Sequence, residues 1–216
     1  MTINIPQGFF NSFRLIVNPI KGNVQFQKHI LVNSHGIHIE MLTLKKAIMK
    51  YPNVFPKEDL KKQPGLQSDM KTQPIMVREG YKGSDKLKGK VALITGGDSG
   101  IGASCALHFA MEGAGVAILY FNERQDALKL QRDIEQMGGA CFLIKGDIKD
   151  SQFCRDAIEK VVDRFGGLNI LVNNAAMQFQ EEDFQEMDLI NMETTFQTNV
   201  FPLFYLTQAA LEYLKE

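Results

Sequence analysis

TGGDSGIG, residues 95–102, follows the apolar run KVALIT (90–95) and leads into a helix-like stretch carrying Ala106, Phe109 and Ala110 on one side. A continuous apolar run of this length is what a strand buried on both faces requires. Glycines 96, 100 and 102 leave bare main chain where the strand turns into the helix. The free N–H groups and positive dipole end of that helix would face an anion such as a pyrophosphate. Glycine is also the default wherever a turn needs positive φ, so the turn alone has only moderate specificity. Its spacing is GxxxGxG, not the GxGxxG of the usual dinucleotide fingerprint.

Downstream the strand-turn-helix pattern repeats. GVAILYF (115–121) reads as a second strand, and the segment after it places Ala127, Leu130, Ile134 and Met137 on one helical face, with Gly138 as a stop. ACFLIKG (140–146) is a third strand. Asp150 or Ser151 caps the next helix, whose Phe153, Ile158, Val161, Val162 and Phe165 face inward before Gly166 and Gly167. LNILVNN (168–174) is a fourth strand. This alternation implies an α/β fold: a Rossmann-like, doubly wound parallel sheet of four strands, with ligands at the carboxyl ends of the strands. In the terminal segment Val200, Leu203, Phe204, Thr207, Ala210, Leu211 and Leu214 form one broad apolar stripe, and Pro202 marks a kink or the first turn of a new helix. No return crossover follows the fourth strand, so one of its sides is expected to lack a neighbour and to leave apolar surface exposed.

Upstream, residues 50–89 form a Pro/Lys-rich extended arm holding four of the seven prolines, and residues 1–49 are an irregular extension of uncertain origin. The Rossmann-like domain then runs over 90–216. Residues 1–39 contain no Asp or Glu, and Val24, Phe26, Ile37 and Ile39 alternate with polar residues, as in two short strands around Asn33 to Gly36. Met41 and Met49 are alternative starts to Met1. Gly36 separates His35 from His38 and no acidic or cysteine ligand lies close, so no metal is expected. Between 45 and 90, eleven Lys and one Arg face five acidic residues, but few aromatics are present to stack bases, and the whole chain has a net charge of −1. A nucleic-acid or membrane partner is therefore not expected. Cys105, Cys141 and Cys154 lack any CxxC spacing and sit in apolar patterns, which assigns them to packing in a cytoplasmic protein.

The motif set resembles the short-chain dehydrogenase/reductase family, whose phosphate turn TGxxxGIG is matched by Thr95, Gly96, Gly100, Ile101 and Gly102. GDI (146–148), NNAA (173–176) and TNV (198–200) follow in the family's order, and the segment from QPG (63–65) onward is similar to a bacterial subgroup of general oxidoreductases. The resemblance covers about residues 60–216. It implies a cofactor site of Gly96, Ser99, Gly100, Ile101, Gly102, Tyr120, Asp147, Ile148, Asn174 and Ala175, with Asp147 toward the adenine and Asn173 helping to hold the sheet. Asn199 corresponds to the asparagine of an Asn-Ser-Tyr-Lys tetrad, the only catalytic member present. The cofactor is NAD or NADP, with a slight lean to NAD. Tyr120 stands where NAD enzymes carry an acid, with Asn122 or Glu123 as substitutes, while Ser99 and Phe121 stand where NADP enzymes often carry a base. The implied chemistry moves a hydride between nicotinamide and a carbonyl or alcohol carbon while a tyrosine, with a lysine four residues on, handles the proton. No YxxxK occurs in the chain, which ends at Glu216. The expectation is the cofactor-binding half of such an enzyme, truncated before its serine, tyrosine and lysine; the alternative is a non-catalytic NAD(P)-binding module. A homo-oligomer through the terminal helix is the expected assembly.

Overall fold

The computed structural model describes residues 13–16, 27–33, 36–42, 67–179, 181 and 183–214. The chain divides into two units, residues 1–55 and 56–216. In the first, β1 (Phe13–Ile16), β2 (Gln27–Asn33) and β3 (Gly36–Leu42) form an antiparallel sheet in that order, with Asn33 opposite Gly36. The hairpin falls where the alternation around Asn33 to Gly36 predicts one. Val24, Phe26, His35 and Met49 lie outside the described residues.

The second unit alternates strand and helix: β4 (Val91–Thr95), α1 (Gly100–Met111), β5 (Gly115–Tyr120), α2 (Arg124–Gln136), β6 (Cys141–Lys145), α3 (Ser151–Phe165), β7 (Ile170–Val172), α4 (Leu189–Asn199) and α5 (Phe201–Ala210). All four strands are parallel, in the order β6-β5-β4-β7. The chain thus winds outward from β4 in both directions, and the crevice at that reversal is where such sheets hold ligands. Alternate residues of each strand feed opposite faces. Leu93, Ala117 and Leu119 pack with Ile158, Val161 and Leu206 of α3 and α5, while Ile94, Val116 and Ile118 pack with Ala103, Ala106, Leu130 and Ile134 of α1 and α2. Burial on both sides explains why β4 reads as an unbroken apolar run.

Helix ends follow local chemistry. The Asp150 carboxylate accepts from the N–H of Gln152 (2.8 Å) and Phe153 (3.2 Å), and α3 closes on Gly166 at φ +83°. α4 and α5 are separate helices meeting at Val200, with Pro202 in the first turn of α5, where a missing N–H costs nothing. The expected apolar stripe on α5 is corrected here. Pro202, Leu206 and Ala210 face the core, whereas Leu203, Phe204 and Leu211 are exposed, Phe204 by 69%. Apolar residues surround this helix, so periodicity alone could not select the packed side. Of the inward positions expected elsewhere, Met137 is also exposed, because it caps α2 and lies past its last packed turn.

The described part of the arm is docked on the α/β unit. The buried Glu112 carboxylate accepts from the Tyr81 hydroxyl, from Ser84 N–H at 2.8 Å and from Lys86 N–H at 3.2 Å. Those three donors hold its pKa down to about 2, the Tyr81 hydrogen bond first. Ser104 Oγ donates to Met76 O, and the Tyr81 ring meets His108 edge-on. Among the described residues β7 pairs with β4 alone. Cys141 and Cys154 are buried, and burial pushes their thiols up to about 12 and 11, in keeping with a packing role.

Candidate nucleotide site

A cavity of about 300 Å³ opens at the carboxyl ends of β4, β5 and β6, over the glycine turn. The turn is shaped by contacts that exclude side chains. Gly96 and Gly100 have φ of +57° and +53°, the left-handed region that favours glycine. A Cβ on Gly102 would lie 2.2 Å from Gly96 O and 2.6 Å from Asn174 Nδ2, so the first turn of α1 presses directly on the strand end.

The Asn173–Ala176 segment is laced to that turn. Asn174 Nδ2 donates to Thr95 O and to Gly96 O, each at 3.0 Å. Thr95 Oγ1 accepts from the N–H groups of Asn174 and Ala175, also at 3.0 Å, and donates to Val172 O at 3.4 Å. Threonine at 95 therefore organises the loop; valine would match its shape but leave two amides without partners. Asn173, expected to hold the sheet, instead donates to Thr207 Oγ1 of α5 at 3.4 Å.

Of the expected cofactor residues, Gly96, Ser99, Ile101, Tyr120, Asp147, Ile148, Asn174 and Ala175 line the cavity. Gly100 and Gly102 do not line it; Gly102 packs tightly against Gly96 O and Asn174 Nδ2, while the space at Gly100 is open. Ile101 stands at the rim, 83% exposed, and Tyr120 and Ile148 are buried in the wall. Asp147 takes the Lys149 N–H at 3.0 Å and the Lys149 ammonium at 3.5 Å. Asn199 does not line the cavity but bonds to Met177, which does. Its Oδ1 accepts from Met177 N–H at 2.8 Å and its Nδ2 donates to Met177 O at 2.7 Å.

Ser99 precedes α1 but makes no capping hydrogen bond through its side chain, which leaves the N–H groups of that turn to other partners. Asp98, beside it, is 94% buried, and that burial, with Glu123 and Asp126 nearby, raises its pKa to about 6; its own backbone and Ser99 pull the other way. Glu123 is buried in the same wall. Met177 and Thr198 also line the cavity without having been singled out from sequence. Met177 directly follows NNAA and Thr198 opens TNV, and those positions were the available signal. Thr198 Oγ1 is enclosed and has no hydrogen-bond partner, a polar atom in the wall that a bound molecule would satisfy. A cavity of this size, mostly apolar, with an anion-suited turn and an unsatisfied hydroxyl, fits a dinucleotide.

The family model for short chain dehydrogenase matches residues 90–216. General stress protein 39 of Bacillus subtilis (strain 168) is 47% identical over 165 residues, 76% of this chain and 58% of that protein. NADPH-dependent aldehyde reductase 1, chloroplastic, of Arabidopsis thaliana is 38% identical over 160 residues, 71% of this chain and 56% of that protein. A solved short chain dehydrogenase from Burkholderia cenocepacia J2315, in complex with NADP, superposes with a TM-score of 0.58 at 38% identity, covering 60% of this chain and 53% of that one. The chain spans between half and three fifths of the length of these relatives.

Proposed function

The chain belongs to the short chain dehydrogenase family, and from that premise we propose that residues 90–216 are the nucleotide-binding part of an NAD(P)-dependent oxidoreductase acting on aldehydes, ketones or alcohols. The observation that carries this reading is the cavity at the strand reversal, floored by the glycine turn and walled by Asp147, Ile148, Asn174 and Ala175. When bound, the nicotinamide would supply or accept the hydride. Gly96, Ser99 and Ile101 would hold the pyrophosphate end, and Tyr120, Asp147 and Ile148 the adenosine end. Asn199 acts as a positioning residue through Met177.

Two of the relatives compared above are named for NADPH or NADP, the phosphorylated form of the cofactor. In this chain the Asp98 and Glu123 carboxyls share the wall with Tyr120 and Phe121, and a 2′-phosphate placed there would meet like charge. That supports a small preference for NAD. No tyrosine among the 216 residues has a lysine four positions on, so in this reading the chain provides nucleotide binding and Asn199 but not the proton-transferring pair. The second reading, a non-catalytic NAD(P)-binding module, draws on the same fact. Cytoplasmic residence and self-association through α5 belong to the proposal; among the described residues no helix is long and apolar enough to cross a membrane.

The test is NADH and NADPH titration of the full chain by fluorescence, beside Gly102→Ala. Binding by the unaltered chain, with NADH slightly favoured and the variant weaker by roughly 5- to 150-fold, is expected, since overpacking of this kind costs about 1–3 kcal/mol and here displaces the turn itself. Absence of binding by the unaltered chain would overturn the reading. Turnover of a carbonyl substrate by this chain alone would count against both readings, since neither supplies the proton-transferring pair.

A further inference from the structure

Gly100 sits between two residues that line the cavity, Ser99 and Ile101, yet it does not line the cavity itself. Its N–H donates to Gln67 Oε1 at 2.8 Å. Gln67 belongs to the short 3-10 turn Gln67–Asp69 of the arm, 33 positions earlier in the chain. The Gln67 main chain is gripped from both sides. Its N–H donates to Asp126 Oδ2, in the first turn of α2, at 3.2 Å, and its carbonyl accepts from Gln73 Nε2 at 3.0 Å. Gln73 Nε2 also reaches Met70 O at 2.8 Å, so the turn is closed on itself.

We propose that Gln67 is a positioning residue for the nucleotide site: through the Gly100 N–H it fixes, from outside the cavity, the turn whose inner amides receive the phosphates. This rests on the nucleotide reading given above. Two observations carry it further than a surface contact. The turn is held at its start by Asn174 on Thr95 and Gly96 and by the Gly96 N–H on Leu119 O, and Ser99 O accepts from Ala103 N–H, but the Ser99 side chain does not cap it and Gln67 is the partner of the Gly100 N–H. At Gly100 the φ of +53° and the open space beyond its Cα leave the residue without packing restraint, so the Gln67 hydrogen bond supplies the fixation. The chemistry of the group matters as well. An amide oxygen satisfies the orphan N–H without carrying charge, and α1 has no acidic residue in its first turn. The positive end of the helix therefore stays available to a dianionic linker, which a carboxylate at the same place would oppose.

The experiment compares NADH affinity and thermal midpoint for the full chain, Gln67→Ala and Gln67→Glu, at low and high salt. The alanine variant should bind NADH about tenfold more weakly with its midpoint in the absence of nucleotide close to that of the unaltered chain, and the deficit should be the same at both salt concentrations. The glutamate variant keeps an acceptor for Gly100, so its deficit should be large at low salt and shrink toward the unaltered chain as salt screens the added charge. Equal affinity of all three proteins overturns the proposal. So does a loss in both variants that follows a fall in midpoint and ignores salt, because that describes general loosening of the arm. If the unaltered chain fails to bind NADH, the nucleotide reading fails first and this inference falls with it.

Discussion

Asp98 shows at the level of one residue how the site trades stability for a polar wall. Its carboxyl is buried beside the glycine turn, and its pKa of about 6 exceeds the ordinary 3.8. Between those values the folded chain keeps a proton that the unfolded chain has released. Asp98 is thus neutral at low cost below about pH 3.8, and its ionisation lowers stability progressively as pH rises toward 6, with the full penalty above. Asp98→Asn should raise the thermal midpoint at pH 7.5, by the equivalent of about 1–3 kcal/mol, and leave it nearly unchanged at pH 3.5; melting curves across pH decide this. A variant destabilised at pH 7.5 would show that the carboxylate is better solvated than its burial indicates. Most of the site was legible residue by residue, because TGxxxGIG, GDI and NNAA are short local patterns whose spacing survives in one dimension. Thr198 and Met177 were not, since what marks them is an orphaned hydroxyl and a main-chain clasp by the Asn199 side chain across 22 positions, neither of which leaves a trace in composition.

Between elements, the seam joining the arm to α1 depends on Glu112. With its pKa drawn from 4.5 to about 2, the folded state holds the charged form more tightly than the unfolded state does. Its contribution is fully present above about pH 4.5 and is lost as pH falls through 2. Glu112→Gln should melt several degrees below the unaltered chain at pH 6, and the gap should close between pH 4.5 and 2; limited proteolysis should cut the variant near residues 78–86 first. Equal melting at pH 6 would show that the arm is held by other contacts. Gly83 belongs to the same seam, because a Cβ there would come within 1.8 Å of Met111 O. The strands and helices were legible because buried parallel strands read as apolar runs and Gly138, Asp150 and Gly166 are strong punctuation. The docking of the arm was not. Its proline-rich stretch carries no period, and its partners are scattered polar atoms on α1 and α2. The packed face of α5 was hidden for the opposite reason, an excess of apolar residues on all sides.

At the scale of the whole α/β unit, apolar surface gathers on one flank. Leu189, Ile190, Phe196, Phe201 and Phe204 are exposed on α4 and α5, and β7 has a strand partner on one side only among the described residues. Exposed area of this kind is stabilised by covering it, at about 25 cal/mol per Å². The full chain should therefore self-associate reversibly with concentration in sedimentation velocity runs, and Phe204→Glu should shift it to the monomer without lowering NADH affinity. A chain that stays monomeric at tens of micromolar would remove α5 from consideration as an assembly surface. The expectation of an uncovered fourth strand came from counting crossovers, a topological argument that needed no side-chain detail. Asn199 gives that flank a reach it would otherwise lack. By grasping both the N–H and the carbonyl of Met177, Asn199 stitches the end of α4 to a stretch of cavity lining, so that the exposed flank and the cavity wall share one clasp.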